Sequence, residues 1–381
     1  AGEDHRAEGP RDRDQRRLTA CSGLQLWKGE HTMAIGTRLR RALLPAAAAT
    51  AALMAAKRSA DRRAAARFYE RAGEPGEFFD EGAFHGGLPA IWHRSEVSET
   101  MHAASLDAVR ALLPSPDLHP VRLPGGRAII DVSSLRHEEF SAHDIDGLAM
   151  LPYGEVMISA LVTRKPAPPL LPLVAPTFSG IAAGTFVLHM PVTSKAARDG
   201  GRNWGYPKFT ADIEFEDSIE TVRATLSEGG HRIFTQTVRP AGQPTVTGTP
   251  LTLYSVNDGQ LWEQSVPRFA LQRRRWGRDG GLLELGDHQV ADELRGLDIQ
   301  PQPFLTMHFS AARISFPGIR SIGPARPYLG YIGDERELGR YVVTYPGTGP
   351  IDRYAPYAPT AGPREALVES STPAEPEVVA H

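Results

Sequence analysis

From Tyr153 to Arg164 the chain reads YGEVMISALVTR, with Val156, Ile158, Ala160 and Val162 at alternate positions, the two-residue period of a strand. Gly184 to Thr193 gives a second strand, and Phe209, Ala211, Ile213 and Phe215 share a face opposite Thr210, Asp212 and Glu214. Glu216-Asp217-Ser218 then turns the chain. Thr221–Ser227 and His231–Val238 flank Gly229-Gly230, a pair suited to the positive φ angles of a tight hairpin. Strands that follow one another through turns this short pair antiparallel. Helical signals are fewer. Ser105 is placed to cap a short helix, Leu106–Leu113, with Asp107 in its first turn and Pro114 at its end. Asp61–Ala72 reads as another, closed at Gly73. The Pro-rich stretch KPAPPLLPLVAP (165–176) is an extended excursion that suits either a pocket mouth or an oligomer interface.

Composition sharpens this reading. With 37 Gly and 32 Pro among 381 residues, turns are frequent, which favours a mainly β fold with a few helices over a helix bundle. A formal net charge of -3 gives no basic field, so no nucleic-acid partner is expected. The single cysteine, Cys21, excludes an intrachain disulfide and a thiolate metal cluster, and fits a reducing, cytoplasmic setting. Residues 1–32 lack periodicity, and Met33 opens a segment with a basic front and an Ala-rich middle, Ala42–Ala56. That segment resembles a secretory signal or short anchor, while its alanines also suit an ordinary helix. Membrane association through it, and a native start at Met33, are the expectations it raises. The chain thus divides into an N-terminal extension, 1–84, partly disordered with the Ala-rich helix or short anchor, one β domain, 85–345, and a disordered Pro- and Ala-rich tail, 346–381.

The common nucleotide signatures, GxGxxG after a strand and GxxxxGKS/T, are missing, as is a GxSxG elbow, and no cofactor is expected. In HEEFSAH (137–143) the histidines are six apart and would not share a helical face, so no metal is expected either. The basic run Gln272–Trp276 reads as a solvated loop or subunit contact.

One stretch carries chemistry. GGRNWGYPKFTADIEF (200–215) brings a single lysine to a Tyr-Pro corner after a Gly-rich approach. A free amine, with a reference pKa of about 10.4, is protonated at neutral pH and is then no nucleophile. Burial against apolar walls and a nearby cation both favour its neutral form. Trp204, Tyr206, Pro207 and Phe209 offer the walls and Arg202 the cation. A solvated charge is the commoner fate of a lysine. Strict alternation would also set Lys208 on the polar face with Thr210, Asp212 and Glu214, whereas a bend at Pro207 frees it.

GRNWGYPKF resembles the Gly-Arg-Glu…Tyr-Pro-Lys-Lys motif of the acetoacetate decarboxylase family. Further segments match in order: Arg94 ahead of the helix Leu106–Leu113 and its Pro114-Ser-Pro116, Asp131 in IIDVSSL, Tyr153-Gly-Glu155 as the family's Tyr-x-Glu, and LGDHQVADELRGLDIQPQ (285–302) as its Asp-His segment. The resemblance runs from roughly Leu88 to Pro317. It implies a closed or cone-like antiparallel β-barrel with a hydrophobic central pocket, assembled as a homo-oligomer. In such a barrel Lys208 forms a Schiff base with a keto acid, and decarboxylation of a β-keto acid is the reaction most directly implied. Glu155 and Asp131 then position substrate or move protons, Arg94 steers the substrate carboxylate, and Arg202, Trp204, Tyr206 and Phe209 contribute to binding.

The sequence also departs from the family. The second motif lysine is Phe209 here, Asn203 replaces the motif glutamate, and Ala312 stands at an acidic position. Desolvation and Arg202 are left to activate Lys208. Two other activities stay open: a non-catalytic barrel that binds a small molecule with Lys208 as an ion-pair partner, and an aldolase or dehydratase using the same iminium. A plain salt bridge for Glu155, and a strand-end carboxylate capping a turn for Asp131, are the ordinary alternatives.

Overall fold

The structure is a computed structural model that describes residues 52, 55–56, 58–63, 66–71, 78–81, 84–143, 152–174, 182–248, 250–328 and 330–333. The expected start at Met33, most of the Ala-rich anchor, the domain boundary at 345 and the tail 346–381 lie outside these residues. The chain divides into two units, Ala1–Ala55 and Ala56–His381. Of the first, only residues 52 and 55 are described, both helical; the architecture below is that of the second.

Its strands are, in chain order, β1 (Phe78–Glu81), β2 (Phe84–Ala104), β3 (His119–Pro120), β4 (Ala128–His143), β5 (Tyr153–Thr163), β6 (Gly184–His189), β7 (Asp212–Asp217), β8 (Val222–Glu228), β9 (His231–Val238), β10 (Thr245–Thr247), β11 (Leu251–Asn257), β12 (Gln260–Val266), β13 (Arg268–Trp276), β14 (Gly281–Leu285), β15 (Leu305–Phe316) and β16 (Arg320–Pro324). Helices α1 (Leu106–Leu112), α2 (Lys195–Asn203) and α3 (Gln289–Gly296) lie between them. Local signals act as expected. Ser105 Oγ accepts from the Ala108 N–H and starts α1, and Gly229 (φ 56°) and Gly230 (φ 84°) close the β8–β9 hairpin.

The larger sheet runs β10-β13-β15-β2-β4-β5-β6-β11-β12-β16, with β1 beside β2 and β3 beside β5; the smaller is β14-β9-β8-β7. Pairing is antiparallel except between β6 and β11. Among the described residues no sheet closes into a barrel, which corrects the closed or cone-like barrel implied by the resemblance. The reason lies in the pairings. Strands β7, β8, β9 and β14 bond to one another instead of extending the larger sheet, and that sheet ends in two unjoined edges, the three-residue β10 and the five-residue β16.

Both faces of β5 are buried along its whole length. Val156, Ile158, Ala160 and Val162 join Ile130 and Phe186 of the larger sheet, and Leu226, Ile233 and Phe234 of the smaller, in the main core. Each of the Val, Ile, Leu and Phe side chains, fully buried, contributes about 1.5–3 kcal/mol relative to exposure. The opposite face presents Glu155, Met157 and Leu161 to a cavity. One layer of the fold is therefore a sealed core, and the other face of the same strands is free to build a site.

Candidate active site

Helix α2 delivers the lysine. Ser194 caps it, its Oγ accepting from the Ala197 N–H at 3.3 Å, and the helix ends at Trp204 just after Gly200-Gly201. A Cβ on Gly201 would overlap Cδ and Cε of Lys208, so the Gly-rich approach is what lets the lysine's methylenes lie against the helix. Arg202 Nε donates to the Lys208 carbonyl at 2.7 Å and Nη2 to the Ile332 carbonyl at 2.9 Å, which fixes the backbone of the corner. Strand β7 begins only at Asp212, so Lys208 precedes the strand and escapes its alternation, as a bend at Pro207 predicts.

Lys208 is 3% exposed, and its Nζ donates to Glu155 Oε2 at 2.7 Å. Trp92, Phe140, Tyr153, Trp204 and Gly201 share a recess of about 10 Å³ with it. Trp92 Nε1 donates to the Tyr153 hydroxyl at 2.9 Å, and the Tyr206 hydroxyl donates to Gln264 Oε1 at 2.7 Å. Burial, and after it the charge of Glu155, pushes both Tyr153 and Tyr206 well above the usual phenol range, so both stay neutral. His137, whose Nδ1 shares a hydrogen with Ser95 Oγ at 2.8 Å, lies against the Tyr153 ring. Burial lowers its pKa to about 4; Glu155 opposes that shift and Lys208 adds to it.

Of the predicted site residues, Arg94, Asp131, Arg202, Tyr206 and Phe209 do not line the lysine's recess. Arg94 sits between β-bulges that interrupt the β2–β4 register from Trp92 to Ser95; it is exposed and ion-paired with Glu138 and Glu139. Arg94 lines neither the lysine's recess nor the large cavity. Phe209 is fully buried in the main core against Tyr331, with ring centroids 4.9 Å apart, and is no wall of the lysine's recess. A cation in place of Phe209 would start from that core side as well.

Glu155 also lines a much larger cavity of about 250 Å³, walled by β2, β4, β5, β13 and β15. Its alternate β13 residues Arg268, Ala270, Gln272, Arg274 and Trp276 all line it. The basic run is thus neither a loop nor wholly solvated: its two-residue period puts Arg274 on the cavity, while Arg275 turns to Asp279. Pro172 and Leu173 of the Pro-rich excursion line the cavity too. Asp131 lies within β4 opposite Ser159, not at a strand end, and its Oδ2 accepts from Ser133 Oγ at 2.9 Å. Glu99 of β2 lies against it. Burial, reinforced by the Glu99 charge, pushes the Asp131 carboxyl well above the usual range, and burial raises Glu99 despite Arg268 and Arg274. Both carboxyls are thus biased toward their protonated forms.

Glu99, His137, Arg268 and Arg274 are not among the expected site residues. The signal that could have found them is strand period: Asp131, Ser133, Leu135 and His137 are one face of β4, and Arg268 to Trp276 one face of β13. Among the described residues no group of three or more His, Cys, Asp or Glu side chains is arranged to hold a metal ion, and no helix is long and apolar enough to cross a membrane.

The acetoacetate decarboxylase (ADC) family model matches residues 83–310. The chain belongs to that family. Among solved structures, an acetoacetate decarboxylase is 18% identical over 64% of this chain and 92% of its own, with a TM-score of 0.47. The acetoacetate decarboxylase of Legionella pneumophila is also 18% identical, over 66% and 93%, with a TM-score of 0.47. The enduracididine biosynthesis enzyme MppR is 17% identical over 62% and 88%, with a TM-score of 0.45. No curated protein matches the chain significantly.

Proposed function

We propose that this acetoacetate decarboxylase family member is a Schiff-base enzyme, with Lys208 as nucleophile and decarboxylation of a β-keto acid as its reaction. The observation that carries the reading is a buried amine 2.7 Å from Glu155, a carboxylate on the wall of a substrate-sized cavity. Passage of one proton from Lys208 Nζ to Glu155 Oε2 leaves a neutral amine. The amine attacks the ketone carbon and the carbonyl oxygen takes up a proton, giving a carbinolamine. Loss of its hydroxyl as water, with the proton held by Glu155, forms the iminium. The electrons of the C–CO₂ bond then flow into the iminium nitrogen, releasing CO₂ and leaving an enamine. The enamine carbon takes a proton, and water hydrolyses the resulting iminium to free ketone and amine. One keto acid anion and one proton thus become one ketone and CO₂. Because Lys208 lines the recess and Glu155 the cavity, the mechanism includes rotation of Glu155 away from the amine once it is protonated.

That same arrangement favours a second reading. Lys208 is not on the wall of the large cavity, so it serves equally as the counter-ion of Glu155 in a fold that only binds a small acid. Borohydride trapping separates the two. The protein is incubated with acetoacetate, pyruvate or longer keto acids, reduced, and digested for mass spectrometry. The proposed enzyme gives a reduced adduct on Lys208 that is lost in Lys208→Ala, and the β-keto acid adduct is lighter by CO₂. Folded protein that yields no adduct with any of them is a binding protein.

A further inference from the structure

The large cavity is far from a snug fit for a short keto acid. Its 250 Å³ is an order of magnitude more than a single water needs and approaches the lower end of pockets that take drug-sized ligands, about 300 Å³. Its polar groups are gathered at separate places. Glu155 faces Leu135 across the β4–β5 pairing, and Asp131 lies four residues further along β4, a separation of roughly 13 Å at strand rise. The walls are apolar: Val97, Leu305, Phe309 and Phe316, together with Met101, Met157, Met190 and Met307. Those are four of the chain's seven methionines, so the wall is enriched in the side chain that best adapts to a flexible apolar ligand.

Charge selects among such ligands. Arg268 lies in the cavity with its guanidinium 5.0 Å from the Phe309 ring centroid, and Arg274 lines it beside the exposed Trp276. Against these two cations stand Glu99 and Asp131, whose charged forms burial disfavours, and Glu155, which is paired with Lys208. The guanidiniums of Arg268 and Arg274 supply the charge-assisted donors that favour an acid over a neutral ketone.

We infer that the cavity takes a keto acid bearing an extended apolar chain of several carbons beyond the reacting ketone, not a four-carbon acid. The inference gives a substrate class to the Schiff-base reading and rests on it for the reaction, while the binding it requires stands apart from imine formation. Each methylene buried along the wall strengthens binding about fourfold.

The full-length protein is tested in two arms. In the first, calorimetry compares octanoate with butyrate, acids without a ketone; octanoate is expected to bind at least about tenfold tighter. In the second, borohydride trapping on Lys208 compares β-keto acids of four, eight and twelve carbons at equal concentration, and the eight-carbon acid is expected to label at least tenfold more efficiently than acetoacetate at subsaturating ligand. Tighter octanoate binding without any Lys208 adduct upholds the chain-bearing ligand and removes the imine. Equal binding of the two fatty acids, with acetoacetate labelling Lys208 as well as the longer acids, overturns the chain inference and leaves the imine standing. In Met307→Trp, which narrows the cavity, the chain-length preference is expected to collapse. A wild-type preference for octanoate that survives unchanged in a folded Met307→Trp counts against the cavity as its seat.

Discussion

Lys208 Nζ and Glu155 Oε2 meet at 2.7 Å with their side chains only 4% and 7% exposed. An ion pair this deeply buried is held together less by its own attraction than by the cost of leaving either charge alone. Glu155→Gln should therefore cost about 3–5 kcal/mol of unfolding free energy, since the ammonium loses its counter-ion. The double variant Lys208→Met, Glu155→Leu should come within about 1 kcal/mol of the wild type, because two apolar groups of similar size replace both charges. Urea unfolding of the wild type, Lys208→Met, Glu155→Leu and the double variant closes the cycle. Additive losses would mean that the two groups are not energetically paired. On activity, Glu155→Gln should reduce Lys208 trapping at least about a hundredfold, the scale of general acid–base catalysis.

Gly201 has a single visible task, to leave room for the lysine stem. In Gly201→Ala the new methyl would overlap Lys208 Cδ and Cε, so the side chain must leave its present path beside the helix. Overpacking of this kind costs about 1–3 kcal/mol, and alanine's better helix propensity in α2 returns about 1 kcal/mol of it. The expected result is a protein close to wild type in stability but at least tenfold slower in trapping. Unchanged trapping by Gly201→Ala would show that the lysine reaches substrate from another rotamer and that the glycine is not needed for it.

The parts of the fold governed by local rules were legible in the sequence. Gly229-Gly230 named its hairpin because only positive φ closes so short a turn, and Ser105 named the start of α1 because its hydroxyl replaces a missing acceptor. Lys208 and Glu155 were found through motif resemblance, yet their contact joins residues 53 apart in sequence, and no spacing rule foretells it. The failures have local causes too. A bulge of one residue sends Arg94 to solvent, and a strand boundary three residues past Phe209 leaves that ring in the main core. Arg268 and Arg274 were hidden for the opposite reason: a run of charges suggests solvent, and only the pairing of β13 with β15 shows that alternate members face a cavity. Closure of the sheet was the least legible feature, because it depends on which strands decline to pair.

His102 and His137 give the fold a measurable response to acid. Both are buried, and burial lowers each from 6.5 to about 4; the Gln300 carbonyl opposes this at His102, and at His137 Glu155 opposes it while Lys208 adds to it. Between those values the unfolded chain binds a proton at each site that the native state does not, so the unfolded state carries more protons and stability rises with pH. The contribution is complete above about pH 6.5 and is lost as pH falls toward 4. Each histidine should add close to one proton, about 1.4 kcal/mol per pH unit, to the slope of unfolding free energy within that window. His137→Gln is expected to remove one such step from the slope measured by urea unfolding at pH 4.5, 5.5 and 6.5, whatever it does to the absolute stability through lost packing against Tyr153. A slope equal to that of the wild type would mean that His137 already titrates in the native protein as it does in the unfolded chain, and that its place beside Lys208 and Glu155 is more open to water than its burial indicates.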